Sequence, residues 1–347
     1  MMIIFSFLIA LSATLIFAFL IWWVDLWERE PLREALLRVV YGGIPAILYT
    51  GIADLVFYFI PLPEAVIKAP LVEEFVKGLG VFFIFSAAFQ KLFSSQRQDG
   101  GSTGTDIFFI NLILWLGSKS SGEQELDSPL DGLVYGALVG FGFAFVEDLT
   151  YYADFRGTGY QLLTFVFQRS ILFGFGHAYL TGLVGLSIGL GRAKGRWWRW
   201  VLPAGGYAAA VVLHSSFNRY ALLGSYHMFL AYAYGLGALV VAVSYCLMEE
   251  RRWIKEELSD EVARGILTPE HVRLAADYGY RLGVDSLMLG RNRQEGWKKY
   301  QFLQACSELA FKKRRLKQAG HRAVGLSTLE ELRHRVYALR DAVAADL

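Results

Sequence analysis

Residues 130–151 read LDGLVYGALVGFGFAFVEDLTY. A helix needs about 20 mostly apolar residues to cross the hydrocarbon core of a bilayer, and this run supplies them. It closes on Glu147 and Asp148. A carboxylate inside a span is costly and marks function by default. The stretch therefore carries two expectations together, a membrane fold and a polar site within it.

Working outward, similar apolar runs cover residues 3–24, 39–60, 69–89, 162–190, 200–220 and 226–248. The first lacks a basic leader segment and reads as an uncleaved span rather than a signal peptide. With 130–151 they make about seven spans. The expected fold is all-α, a polytopic membrane helix bundle over residues 1–248. Residues 107–116 are too short to span and read as an interfacial or re-entrant helix. The segment 94–127, rich in Ser, Gly and Gln, reads as a loop flexible at both ends.

Composition agrees. Apolar residues make up 54% of the 347 and charged residues only 19%, against about 25% in soluble domains. A net charge of +2 gives no footprint for nucleic acid. Cys246 and Cys306 have neither metal-binding nor disulfide-framework spacing. Of the 34 Lys and Arg, 19 follow residue 248, beside 15 of the 32 acids. That mixed charge implies a small helical cytosolic domain over 249–347, with helix starts at Thr268-Pro269 and near Ser327. The run Lys312-Lys-Arg-Arg315 reads as a solvated helix face before it reads as a lipid-headgroup patch.

Lys and Arg fall in alternate short loops: Arg29, Arg33 and Arg38; Lys91, Arg97 and Lys119; Arg192, Lys194, Arg196 and Arg199; Arg251, Arg252 and Lys255. By the excess of positive charge on the cytoplasmic side, the N-terminus is outside and the C-terminus in the cytoplasm. Glu73, Glu74, Glu147 and His214 then lie in the outer half of the membrane, and His177 near the middle of the fifth span. Convergence from four helices at one depth implies a single site.

Glutamate can act as a general base, and neutral His can ligate a metal or orient water. Two His and one Glu form a zinc ligand set with an open position. On this reading Glu147, His177 and His214 are candidate metal ligands, with Zn as the ion, and Glu73 or Glu74 is the base. The spacing is not HExxH, and each residue has a structural alternative: Glu73 with Lys77, and His214 with Asn218, are four apart and can simply pair. His227, His271, His321 and His334 read as structural. Gly136 with Gly140, and Gly185 with Gly189, read as close-packing positions.

Four segments together resemble the PrsW family of intramembrane proteases, within the CAAX-type group: Glu73-Glu74-Phe-Val-Lys77; Asp131 to Gly136 leading to Phe143-Ala-Phe-Val-Glu147-Asp148; His177-Ala-Tyr-Leu-Thr181-Gly182; and His214-Ser-Ser-Phe-Asn218. The likeness covers roughly residues 35–248. It implies an intramembrane endopeptidase that cleaves single-span membrane proteins such as anti-sigma factors. It also implies that Glu73, Glu74, Glu147, His177 and His214 are the site residues. On the reading of the residues themselves, His177 and His214 with Glu147 hold the water or a metal and stabilise the oxyanion, and Asn218 orients or assists that role. Asp148 departs from the family, which often has Asn there. The rival readings are a CAAX prenyl-type peptidase using the same residues, a proton- or ion-coupled transporter, and an inactive scaffold. No internal repeat of the transporter kind is present.

Overall fold

The computed structural model describes residues 2–29, 32–56, 58–83, 128–195, 197–290, 292–319 and 326–346. The expected helix at 107–116, the loop 94–127 and the end of the expected third span at 84–89 lie outside them. Among the described residues every regular element is helical. In order these are α1 (Met2–Val24), α2 (Leu32–Tyr41), a π-helical turn (Gly42–Ala46), α3 (Ile47–Val56), a second π-helical turn (Glu64–Lys68) and α4 (Ala69–Phe83). After the undescribed segment come α5 (Pro129–Asp154), α6 (Gly159–Val166), a third π-helical turn (Phe167–Leu172), α7 (Gly176–Lys194) and α8 (Trp198–Leu223). The chain continues as α9 (Ser225–Ala263), α10 (Pro269–Ala275), α11 (Tyr278–Leu289), α12 (Arg293–Ala319), α13 (Leu326–Leu339) and a 3-10 turn (Arg340–Asp346).

Five stretches among the described residues are long and apolar enough to cross a membrane: Ile4–Val24, Ala35–Ile52, Pro129–Asp154, Gly159–Lys194 and Tyr226–Ala263. Two further expected spans correspond to α4, described for 15 residues, and α8. The latter has the length, but His214, Ser215, Ser216, Asn218 and Arg219 dilute its apolar character. The expected fifth span is not one straight helix. It breaks at 173–175 between the third π-helical turn and α7.

The chain divides into two compact units, Met1–Trp22 with Glu30–Val243, and Trp23–Arg29 with Ser244–Leu347. In the first, α5 is central: 83% of its apolar window is buried, against 28% for α1. Its start is fixed locally. Ser128 caps Asp131 N at 3.0 Å, Asp131 Oδ2 accepts from Ser128 N at 2.9 Å, and Pro129 occupies the first turn. Glycines let α7 lie directly on α5. A Cβ on Gly136 would sit 2.2 Å from Thr181 O, and one on Gly140 would sit 2.4 Å from His177 O. This contact sets where His177 stands. Gly136→Val is therefore expected to destabilise the unit by about 1–3 kcal/mol or more, whereas Gly51→Ala, with nothing within 4 Å of the added carbon, is expected to be near neutral. Unfolding by SDS titration of the reconstituted protein measures both.

In the second unit, Trp253, Ile254, Leu258, Phe302, Leu303, Cys306 and Leu309 are buried. Thr268 caps α10, accepting from His271 N at 3.2 Å, with Pro269 at the first position. Arg281 is buried and donates to Leu26 O at 2.7 Å, Ala275 O at 2.9 Å and Ser307 Oγ at 2.7 Å. The basic run is drawn into an ion network. Lys313 bonds Asp260, Glu257 O and, at 2.7 Å, Glu261, which Arg333 also holds at 3.1 Å. Arg314 lies 4.0 Å over the Trp253 ring.

Burial pushes the Glu28 carboxyl up to about 7, with Arg315 opposing and Asp25 and Glu308 reinforcing. A raised folded-state value means that the neutral acid favours the fold. That contribution is complete below the ordinary carboxylate range and is lost as pH rises through about 7. Glu28→Gln is expected to raise the melting temperature of the full chain at pH 8 and to leave it unchanged at pH 4.

Candidate active site

α4 is amphipathic, and its register stacks Glu73, Glu74 and Lys77 on one face, at spacings of three and four. All three are buried, Glu74 and Lys77 to 0% exposure. Lys77 Nζ lies 2.6 Å from Glu74 Oε1 and 3.4 Å from Glu73 Oε2. Its charge also stands 4.2 Å over the Phe143 ring. That ring belongs to a small core with Ala46, Val72 and Val76, which joins α4, α5 and the first π-helical turn.

α7 restarts at Gly176, so His177 is in its first turn rather than mid-helix. His177 Nδ1 is 2.9 Å from Lys77 Nζ, and its Nε2 is 3.0 Å from Glu147 Oε2. An ammonium group can only donate and a carboxylate can only accept. Both bonds are satisfied by one form of the ring, neutral with its proton on Nε2 and a lone pair on Nδ1.

His214 comes from α8. Its Nδ1 lies 2.9 Å from Glu74 Oε1 and its Nε2 4.0 Å from Glu73 Oε2. Thr181 Oγ1 donates to Glu74 Oε2 at 3.4 Å. The two imidazoles meet edge to face, centroids 5.2 Å apart at 81°. Tyr207, His214 and Asn218, seven and four apart, share one face of α8. Tyr207 Oη donates to Leu71 O at 2.9 Å and Asn218 Nδ2 to Ala65 O at 2.7 Å. These two bonds dock α8 on α4 and on the turn before it, on either side of His214.

The structure thus brings Glu73, Glu74, His177 and His214 together: one ligand atom from each lies within 4.8 Å of the others. Of the trio expected as metal ligands, His177 and His214 are in this group. Glu147 is attached behind it, its Oε2 taken by His177 and, at 2.7 Å, by Arg169 Nη2. Asn218 is also outside the group, its amide engaged with Ala65. Arg169 and Thr181 did not figure as site residues in the sequence reading, and Lys77 figured only as a partner of Glu73. Arg169 could have been found by the rule that singled out the others, since it too is an ionisable residue in an apolar run.

Two carboxylates and two imidazoles are a suitable donor set for a divalent cation. Ligand bonds of about 2.0–2.2 Å require the group to contract and Lys77 Nζ, now 2.6 Å from Glu74 Oε1 and 2.9 Å from His177 Nδ1, to withdraw from those atoms. The residues fit a metal.

No curated protein matches the chain, and no solved structure does. The family described as PrsW family intramembrane metalloprotease matches residues 2–248, most of the chain. A bundle of apolar helices that gathers glutamates and histidines at its centre is what such a protease requires, and this chain belongs to the PrsW family of intramembrane proteases.

Proposed function

We propose that the protein hydrolyses a peptide bond in a single-span membrane protein, of which an anti-sigma factor is the family's implied example, and that Glu73 is the base. The observation that supports this is the unequal bonding of the paired glutamates. Glu74 is committed to Lys77, His214 and Thr181, whereas Glu73 has the 3.4 Å contact with Lys77 and a 4.0 Å approach to His214. Glu73 takes a proton from water as the water oxygen attacks the scissile carbonyl carbon, and passes it to the departing amine nitrogen as the C–N bond breaks. Glu74, His177 and His214 would hold a divalent cation, with zinc the candidate, which when bound supplies Lewis acidity. Asn218, expected to assist the oxyanion, is on this reading a docking residue for α8.

The alternation of Lys and Arg supports seven spans in the cytoplasmic membrane, the N-terminus outside and residues 249–347 as a cytosolic domain. The site then faces the outer leaflet. Two measurements test these readings. Proteomics of wild type against the Glu73→Gln, Glu74→Gln double variant is expected to reveal a shed ectodomain only in wild type; identical secretomes would refute the protease assignment for this chain's substrate class. A single cysteine at Pro61 is expected to react with an impermeant maleimide on intact cells, and one at Lys194 is not. The reverse pattern would invert the topology.

A further inference from the structure

Behind the catalytic group lies a second set of polar residues that the hydrolytic reading does not use. The third π-helical turn, Phe167–Leu172, carries Arg169 and Ser170. Such turns are rare and recur at functional sites. Here the widened turn lets both neighbours reach α5. Arg169 Nη2 donates to Glu147 Oε2 at 2.7 Å and its Nε to Asp148 Oδ1 at 2.7 Å. Ser170 Oγ donates to Asp148 Oδ2 at 2.8 Å, and Tyr152 Oη reaches the same oxygen at 3.2 Å. The guanidinium plane lies 3.8 Å from the Tyr151 ring centroid. Glu147 and Asp148 are adjacent acids, and without a shared cation they would repel in a medium of low dielectric.

From this geometry we infer that Arg169 is a positioning residue for His177: it clamps Glu147 so that the carboxylate holds the Nε2 proton of His177, which keeps Nδ1 facing Lys77 beside the paired glutamates. The inference rests on the protease reading for its catalytic consequence, but not for its structural one. The same Glu147 oxygen receives Arg169 and His177, so loss of the first frees the second to lose its orientation. Asp148 with Ser170 and Tyr152 fixes the other edge of the guanidinium, an arrangement that a lysine, a point charge without the fork, reproduces only in part.

The test combines kinetics with a readout independent of cleavage. Arg169→Gln is expected to lower kcat about 10–100-fold, as loss of an orienting partner does, with KM within twofold. Arg169→Lys is expected to fall between wild type and Arg169→Gln. In nanodiscs with ¹⁵N-labelled His, the chain's six histidines give a countable spectrum, and His177→Gln assigns the resonance. Wild type is expected to show His177 protonated at Nε2, and both Arg169 variants a mixture of tautomers. Insertion and melting are followed for each variant, and Arg169→Lys preserves the charge should Arg169→Gln not fold. A wild-type tautomer and kcat in a folded Arg169→Lys variant would overturn the inference. An altered tautomer in the Arg169 variants, when the wild type itself cleaves nothing, would retain the clamp and remove the protease reading instead.

Discussion

Glu74→Gln is expected to abolish cleavage of a co-expressed single-span reporter, by roughly 10³-fold or more, as loss of a member of a concerted catalytic group does. The reasons are geometric. Glu74 is wholly buried, and its carboxylate holds Lys77, His214 and Thr181 at once. Gln has nearly the same shape, so helix packing survives, but one of its two oxygens becomes a donor facing donors. His214 then loses its acceptor and Lys77 the nearer of its two counter-charges. If a cation is held there, bound zinc measured on the purified variant falls together with activity. Wild-type processing by an inserted, normally abundant Glu74→Gln variant would end the assignment of this group as the active site.

Glu73→Gln is expected to behave differently. A general base contributes about 10²–10⁴-fold, so kcat falls by that factor while KM stays near wild type. Zinc content stays as in wild type, because the residues assigned to hold it are untouched. The contrast between the paired variants is the discriminating result. If Glu73→Gln lost zinc and Glu74→Gln kept it, the two roles would be exchanged. If wild type were fully active with less than about a tenth of an equivalent of metal, the carboxylates and imidazoles would be acting on water alone.

The membrane class and the helical fold were legible in the sequence because apolar run length is a one-dimensional signal. Glu73, Glu74, His177 and His214 stood out as candidates, since a polar residue in such a run contrasts with its surroundings, and the structure brings them together. The sequence did not reveal which groups touch. His177 does lie at the middle of the apolar stretch Gly159–Lys194, but the sequence did not show that a helix restarts just before it. The break at 173–175 and the π-helical turn before it depend on backbone hydrogen bonding that hydropathy does not record. Glu147 was grouped with the ligands because depth along a helix says nothing of direction around it. Its side chain meets the far nitrogen of His177 and the Arg169 guanidinium. Asn218 follows His214 by one turn, and the sequence did not reveal that its amide donates to Ala65 O on the turn before α4.

Lys77 has a bearing on biogenesis. Both of its carboxylate partners are on its own helix, three and four residues away, so one of the two acid charges is balanced without a neighbour. Each charged side chain entering lipid alone costs roughly 2.5–3.5 kcal/mol at a helix centre, and three uncompensated ones would weigh heavily against leaving the translocon. On the seven-span reading, α4 therefore enters the bilayer with a single net charge rather than three separate ones, before α7 and α8 have been synthesised.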